Sequence, residues 1–258
     1  RPLAAARRRG AAPLAMTSLS GAVALNSVFA AGCIAGKQRM LTPAGLAHAW
    51  LLGVVLLGSF VDWRGYTTCV MYLVCGSLVT KIKKRQKEKE GIAEARGGAR
   101  GPENVWGSAL TAAGCAILGT LVPQWQPALV VGFVASLATK LSDTTASEIG
   151  KAYGKTTYLI TTLRQVPRGT EGAVSLEGTV AGVGGSIVIT AYACAIGFIP
   201  WWPAAPACLV AAFVATTFES YLGATVQGRI GFLTNEVINF INTLVGAVTG
   251  AALVLPWL

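Results

Sequence analysis

The chain has 258 residues, of which 53% are hydrophobic and only 12% are charged, and its formal net charge is +10. Soluble globular domains usually carry about 25% charged residues, so this composition excludes a domain with an ordinary water-facing surface. The apolar runs are continuous and rich in Ala, Leu and Gly, which favours membrane helices over the alternating strands of a membrane barrel. We therefore expect an all-α fold, a polytopic transmembrane helical bundle that forms one domain over residues 19–258.

The N-terminal residues 1–18 are basic. They contain Arg1, Arg7, Arg8 and Arg9 and no acidic residue. A leader that is rich in Arg and Ala and free of acids is typical of an organellar transit peptide. We expect a transit-peptide remnant or a disordered basic leader here, and the alternative is the basic flank of a first membrane helix.

Eight apolar segments follow the leader, at about residues 19–36, 44–62, 66–80, 104–123, 128–141, 174–199, 204–218 and 237–256. They predict seven to eight membrane segments, although several are shorter than the ~20 residues that span a bilayer comfortably.

The connections between these segments differ in charge. The turns PQWQP (123–127) and PWWP (200–203) carry no charge, whereas the intervening connections carry nearly all the charges beyond the leader. One crossing per segment places every charged connection on the same side. The positive-inside rule identifies that side as the cytosol or its organellar equivalent, such as a stroma.

The connection at residues 80–105 holds eight basic and four acidic residues. Its cations could simply be solvated and attracted to anionic lipid headgroups. The functional interpretation is that Lys81, Lys83 and Arg100 reach toward a nucleotide.

Two short segments end at acidic residues, 128–141 before Asp143 and 204–218 before Glu219. Helices of about 14 residues rise only about 21 Å, so each could stop below the headgroup level and leave its carboxylate in a shared recess. The alternative is an ordinary helix that continues beyond its apolar part.

Residues 142–182 collect four acidic and four basic residues within a membrane protein, where ionisable groups are usually functional. Thr145 and Glu148 have the spacing of a capping box, which predicts a helix start and could by itself explain both residues. Gly150 and Gly154 follow at four-residue spacing. Lys151 and Lys155 are also four residues apart, on a neighbouring edge of the helix. The glycines and lysines together form a plausible phosphate cradle, and the alternative is that the lysines are ordinary surface residues.

The following sequence PRGTEGAVSLEG combines glycines, acids and an arginine. Backbone N–H groups at Gly169 and Gly178 can meet phosphate oxygens, and Arg168 can bind a phosphate through two hydrogen bonds. The carboxylates of Glu171 and Glu177 suit Mg²⁺, which takes one or two of them together with substrate phosphates. The chain lacks the GxxxxGK[ST], HExxH and GxSxG motifs, which argues against a P-loop kinase, a zincin and a serine hydrolase.

These motifs resemble those of a known family. KLSDTTASEIGKAYGKTTYLIT followed by VPRGTEGAVSLEGTVAG is similar to the signature of the chloroplast phytyl-phosphate kinases of vitamin E synthesis. The resemblance extends to residues 80–108, to ESYLGATVQ and to TNEVINFINT, and it covers about residues 40–258. A looser pattern, D-x-x-A-S-x-x-G-K-x-x-G-K followed by S-L-E-G-T, is similar to CTP-dependent dolichol and phytol kinases, and CDP-diacylglycerol synthases share a fainter version.

The resemblance implies roles for individual residues. Asp143 and Glu177 become ligands of a divalent metal, expected to be Mg²⁺, with Glu148 or Glu171 as further ligands. The implied phosphate contacts are Gly150, Lys151, Gly154, Lys155 and Arg168. Lys155 and Arg168, with Asp143 and Glu177, would form the catalytic set. Glu219, Asn235, Asn239 and Asn242 are candidates for the lipid headgroup, although the asparagines could equally join helices.

The implied reaction is transfer of the γ-phosphoryl group of a nucleoside triphosphate, expected to be CTP, to phytyl phosphate in a plastid membrane such as the inner envelope. Phytyl diphosphate would then supply tocopherol synthesis, and the isoprenoid chain would lie beside Gly178, Gly182 and Gly185. Membrane lipids are expected partners and nucleic acid is not. Two alternatives stay open: a cytidylyltransferase that forms a CDP-lipid, and a transporter with an ion site at Asp143 and Glu219.

Overall fold

The computed structural model describes residues 17–226 and 230–258, so the leader predicted for residues 1–18 lies almost wholly outside the described residues. Within the described ranges the helices are α1 (Leu19–Ala35), α2 (Pro43–Leu57), α3 (Asp62–Thr80), α4 (Lys84–Lys89), α5 (Pro102–Leu121), α6 (Gln126–Tyr153), α7 (Leu176–Ala195), α8 (Ala204–Thr225) and α9 (Asn235–Val254). The connection between α6 and α7 contains a short antiparallel ribbon, β1 (Tyr158–Leu159) paired with β2 (Ala173–Val174). The predicted all-α helical architecture is confirmed.

Hydroxyl side chains begin four of the helices. Ser18 accepts a hydrogen bond from the backbone N–H of Gly21 at the start of α1, and Thr42 does the same for Gly45 at the start of α2. Ser175 and Thr234 cap α7 and α9 in the same way. Each cap satisfies a backbone donor that has no partner within its helix.

Helix α6 is the centre of the bundle and packs against α3, α5, α7, α8 and α9. Every residue from Val131 to Asp143 is buried. A helix that is apolar on all sides has to be surrounded by protein or lipid, and here other helices surround it. Every other long helix except α1 and α2 therefore packs on the element that carries residues 142–153, the first part of the charged stretch.

Two sequence expectations about this region are wrong. Helix α6 has 28 residues and runs through Thr145 and Glu148 to Tyr153, so these two residues lie inside a helix and form no capping box. Helix α8 has 22 residues and continues through Glu219. Both helices thus extend beyond their apolar parts, as the alternative held, because neighbouring protein accommodates their charged residues.

The two ends of the bundle differ in chemistry. At one end lie the uncharged turns before α6 and α8. There the rings of Trp202 and Trp257 are 5.6 Å apart, and the N–H of Phe60, in the turn before α3, donates to Thr120 Oγ1 at 3.2 Å. At the other end residues of three charged connections face one another across a cavity. This arrangement agrees with the prediction that the charged connections share one side of the membrane.

Within residues 17–226 and 230–258, four stretches are long and apolar enough to cross a membrane: α5, α7, α8, and α9 together with the turn that follows it. Helices α1 and α2 are apolar but shorter, with 17 and 15 residues. The number of crossings, expected to be seven to eight, stays a prediction.

Candidate functional site

A polar cavity of about 760 Å³ lies at the charged end of the bundle. Helix α6 contributes one wall, with Asp143, Glu148 and Lys151 on successive turns. The connection before α5, the connection before α7, and the facing ends of α8 and α9 complete it. The cavity thus collects ionisable residues that lie far apart in the chain, which is the arrangement expected of a membrane-protein site.

Carboxylates from three different elements face one another in this cavity. Glu219 on α8, Asp143 on α6 and Glu171 all line it, and their carboxyl groups lie within electrostatic range of one another. Glu171 belongs to the connection before α7 and sits at the cavity rim. Partial burial, together with the negative charges of Asp143 and Glu94, raises the pKa of Glu171 above its ordinary value.

A buried lysine that the sequence reasoning missed balances these acids. Lys140 lies one turn before Asp143 on α6, and its Nζ donates to Asp143 Oδ2 at 2.6 Å and to Asn239 Oδ1 at 2.7 Å. Because Lys140 is only 6% exposed, its ammonium depends on these two acceptors. Together they fix the Asp143 carboxylate at the inner end of the cavity.

A second ionic group joins the connection before α5 to the wall of the cavity. Lys87 and Glu148, each almost fully buried, form an ion pair, and Lys151 Nζ lies 3.6 Å from Glu148 Oε1 and 3.3 Å from Glu94 Oε1. Burial acts to raise the pKa of Glu94, but the ammonium of Lys151 outweighs it and holds this pKa below its ordinary value. The carboxylate of Glu148 thus has two lysine partners, Lys87 and Lys151.

The N-terminus of α7 opens into the same cavity. Ser175 Oγ accepts the N–H of Gly178 at 3.1 Å, and Gly150 and Gly178 both line the cavity where α6 and α7 cross. The positive end of a helix dipole and small residues that admit close approach suit an anion. Lys151, on the same wall, adds a cation.

The structure brings many of the predicted site residues together. Those that line the cavity are Arg100, Asp143, Glu148, Gly150, Lys151, Gly169, Glu171, Gly178, Glu219, Asn235 and Asn239. They supply acids, cations and glycines to one space, which agrees with the expectation of a single shared site.

Three residues of the predicted catalytic set lie elsewhere. Lys155 is exposed just beyond α6, and its backbone N–H donates to Glu177 Oε1 at 3.3 Å in the first turn of α7. Arg168 donates to both carboxylate oxygens of Glu90, at 2.8 and 2.9 Å. None of these three lines the cavity.

The remaining candidates also lie outside the cavity. Lys81 is exposed, and Lys83 donates to the carbonyl of Ala152 at 3.1 Å and stacks on the ring of Tyr153. Gly154 packs closely against the carbonyl of Gly150. The buried side chain of Asn242 makes no hydrogen bond with any residue that the structure describes.

Sequence reasoning missed Lys140, Lys87 and Glu94. Lys140 carried a usable signal, since a lysine inside an apolar run three residues before an aspartate is unexpected in a membrane helix unless it is paired. Lys87 and Glu94 gave no such signal within a connection that is highly charged throughout.

The carboxylates suit a metal that is shared with a substrate. Among the described residues no three His, Cys, Asp or Glu side chains form a ready-made metal cage. Mg²⁺ needs no such cage, since it commonly takes one or two carboxylates with phosphate oxygens and water. Asp143 and Glu219, two acids that line the same cavity and interact electrostatically, fit this mode of binding.

Comparison with known proteins gives a clear relationship. The model of the family described as integral membrane protein DUF92 matches residues 26–247. The uncharacterized membrane protein sll0875 of Synechocystis sp. is 53% identical over 227 residues, which cover 88% of this chain and 87% of that protein. The uncharacterized membrane protein MJ0933 of Methanocaldococcus jannaschii is 30% identical over 83% of this chain and 86% of its own length.

The chloroplastic protein VTE6 of Arabidopsis thaliana is 44% identical over 213 residues, which cover 81% of this chain. The match spans 63% of the length of VTE6. This relative supports the plastid location expected from the sequence. No solved structure matches the chain.

Proposed function

The chain belongs to the integral membrane protein family DUF92, and we propose that it is a plastid-membrane kinase that phosphorylates an isoprenoid monophosphate. The acceptor is phytyl phosphate and the expected donor is CTP with Mg²⁺. The resemblance of residues 142–182 to phytyl-phosphate kinases and the 44% identity to chloroplastic VTE6 support this assignment.

The observation that carries the proposal is the cavity at the charged end of the bundle. It brings the interacting acids Asp143 and Glu219 to the same space as Lys151 and the N-terminus of α7. Acids suit a divalent metal, whereas cations and helix N-termini suit phosphates. A nucleoside triphosphate with its metal needs both kinds of group, and a volume of about 760 Å³ is ample for a ligand of that size.

Each group has a defined task in this mechanism. Asp143 and Glu219 would hold the metal, which supplies charge neutralisation at the donor phosphates. Lys140 orients the side chain of Asp143 through the 2.6 Å ion pair. Lys151 and the α7 N-terminus bind phosphate oxygens, since phosphoryl transfer depends mainly on positioning and electrostatic stabilisation.

The chemical step is balanced without a general base. An oxygen of the lipid phosphate forms a bond to the γ-phosphorus while the bond from that phosphorus to the β–γ bridging oxygen breaks. The leaving group is the nucleoside diphosphate, and the product is the lipid diphosphate. Because the acceptor is already an anion, the protein has no proton to remove.

The test is product analysis with purified protein. Phytyl phosphate and Mg²⁺ are incubated with CTP, ATP, GTP or UTP in separate reactions. A nucleoside diphosphate and phytyl diphosphate would support the kinase. Pyrophosphate and a CDP-lipid would identify the cytidylyltransferase, and flux of solute across proteoliposomes without nucleotide turnover would identify the transporter.

A further inference from the structure

A second, apolar pocket of about 120 Å³ lies between α1, α2, α3 and α5. Its walls include Phe29 and Ala30 on α1, Leu52 and Leu56 on α2, Leu73 on α3 and Ala109 on α5. Phe29 is 49% exposed on the outer surface of the bundle, so the pocket wall continues onto the side that faces lipid. The lining is that of a site for hydrocarbon.

The apolar pocket adjoins the polar cavity. Arg100, Asn104 and Ser108 line both spaces and therefore form their shared wall. The guanidinium of Arg100 donates to the hydroxyl of Tyr72, which in turn donates to Ser108 Oγ at 3.0 Å. A cation thus stands at the boundary between a space for charged groups and a space for apolar ones.

Arg100 is positioned by its surroundings at this boundary. Its backbone N–H donates to the carbonyl of Met40 and its carbonyl accepts from Thr42, which fixes the residue against the start of α2. Gly76 on α3 leaves room for the guanidinium, since a Cβ there would lie 2.6 Å from Arg100 Nη2. Both sides of the residue are therefore held, and the guanidinium is only partly exposed.

The glycine face that the sequence suggested for the isoprenoid chain packs against α6 and borders the polar cavity. A Cβ at Gly178 would lie 2.7 Å from the carbonyl oxygen of Ala146, and one at Gly182 would lie 3.0 Å from the Ala146 Cβ. A Cβ at Gly185 would lie 2.8 Å from Thr145 Oγ1. These glycines let α6 and α7 pack closely, and where Gly178 and Gly182 are open they line the polar cavity, which suits charged groups better than a lipid chain.

We propose that the apolar pocket binds the phosphate-proximal part of the isoprenoid chain of the lipid phosphate, with Arg100 contacting its phosphate at the shared wall. The inference rests on the proposed function, which supplies the lipid phosphate as substrate. A lipid phosphate has an anionic end and an apolar end, and here a cation separates a polar cavity from an apolar pocket. The acceptor would enter from the lipid side, and the nucleotide would enter from the charged end.

The experiment is photo-crosslinking of the purified full chain with geranyl monophosphate that carries a diazirine at the far end of its chain. Labelled peptides are mapped by mass spectrometry, without nucleotide. We expect label in α1, α2, α3 or α5 and competition by unlabelled phytyl phosphate. Label confined to α7 and α8, label that hexadecanol competes as well as phytyl phosphate, or no light-dependent label would overturn the proposal.

A matched pair of variants tests the pocket itself. Ala30 lines the pocket, whereas Ala31 beside it is exposed and does not. Ala30→Trp should lower the labelling by about tenfold or more, whereas Ala31→Trp should leave it near the wild-type level. If Ala30→Trp does not fold, Ala49→Phe from α2 fills the same pocket, with exposed Ala47→Phe as its control. Equal labelling of the filled variant and its control would contradict the proposal.

The nucleotide assay on the same preparation separates this inference from the proposed function. If the pocket is labelled but no phosphoryl transfer is measured, the kinase assignment is refuted and the pocket remains a binding site for a lipid phosphate. If phosphoryl transfer is normal but the label lies elsewhere, the kinase assignment stands and the proposed role of the apolar pocket is refuted.

Discussion

The ammonium of Lys140 lies 2.6 Å from the carboxylate of Asp143, one turn away on the same buried helix. The same ammonium donates to Asn239 at 2.7 Å, so helices α6 and α9 meet at this ion pair. An ion pair inside a membrane bundle is costly to desolvate, and its geometry must be good for it to persist. The pair fixes the carboxylate that the sequence singled out for metal binding, and it does so at the inner end of the polar cavity.

Asp143→Asn should abolish phosphoryl transfer while the protein stays folded and inserted in the membrane. The amide oxygen can still accept from Lys140, but it is a much weaker metal ligand. We expect a loss of about 10²-fold or more in kcat, measured with phytyl phosphate and CTP, with gel filtration in detergent to check the fold. Glu88→Gln, on an exposed part of α4, is the control. Retained activity in Asp143→Asn would refute the metal assignment.

The positions of two glutamates give a sharper test of the site. Glu219 lines the cavity and Glu177 does not, although the resemblance implied a metal role for Glu177. Glu219→Gln should therefore raise the Mg²⁺ concentration needed for half-maximal activity far more than Glu177→Gln does. The measurement is a Mg²⁺ titration of each variant at saturating nucleotide. A larger increase in the Mg²⁺ requirement of Glu177→Gln than of Glu219→Gln would instead support a metal-binding role for Glu177.

The buried ion pair between Lys87 and Glu148 should be important for stability. Lys87→Met leaves a carboxylate with only 1% exposure short of its closest cation, and removal of one partner of a buried pair costs about 3–5 kcal/mol. Lys84→Met, which removes an exposed pair with Glu88, should change the free energy of unfolding by less than about 1 kcal/mol. Thermal unfolding in detergent compares the two. Equal shifts would show that the buried pair has no special role.

The pH dependence of metal binding should reflect Glu171. Burial first, then the nearby Asp143 and Glu94, raise the pKa of this carboxyl, so it takes up a proton at a higher pH than an ordinary glutamate. Protonation removes negative charge from the cavity rim, so Mg²⁺ binding should weaken as the pH falls through the raised pKa. Mg²⁺ titrations across the acid range check this. Glu171→Gln should flatten the response, and an unchanged profile would exclude Glu171 as its source.

Gly184 and Gly185 are adjacent on α7, but only Gly185 packs closely against α6. A Cβ at Gly185 would meet Thr145 Oγ1 at 2.8 Å and the carbonyl oxygen of Leu141 at 2.9 Å, whereas one at Gly184 has nothing within 4 Å. Gly185→Leu should destabilise the protein by about 1–3 kcal/mol or more through overpacking against α6. Gly184→Leu should be nearly neutral. Similar unfolding temperatures for both variants would mean that the Gly185 face is open.

Much of the fold could be predicted because hydropathy is a local property. Each of the eight apolar segments corresponds to a long helix, and the uncharged Trp–Pro turns lie opposite the charged connections. Helix ends were less predictable. The apolar part of α6 ends near Leu141, yet the helix runs on to Tyr153, because Glu148 and Lys151 find partners in another part of the chain, the connection before α5.

The candidate site could be predicted only in part, for a similar reason. Asp143, Lys151 and Glu171 reach the cavity, whereas Lys155 and Arg168 from the same motif face away and contact Glu177 and Glu90. Residues one turn apart on a helix share a face, but residues on a connection take the direction that its backbone gives them.

By itself the sequence determined the class of this protein, its helices, the common side of its charged connections and its family motif, because composition and short-range periodicity specify these features. Only the tertiary structure decided which charges meet. The hydrogen bond from Lys140 to Asn239, the shared cavity of Asp143 and Glu219, and the position of Arg100 between two pockets all join elements distant in the chain. Such contacts depend on how helices pack around α6, and packing is a property of the whole bundle.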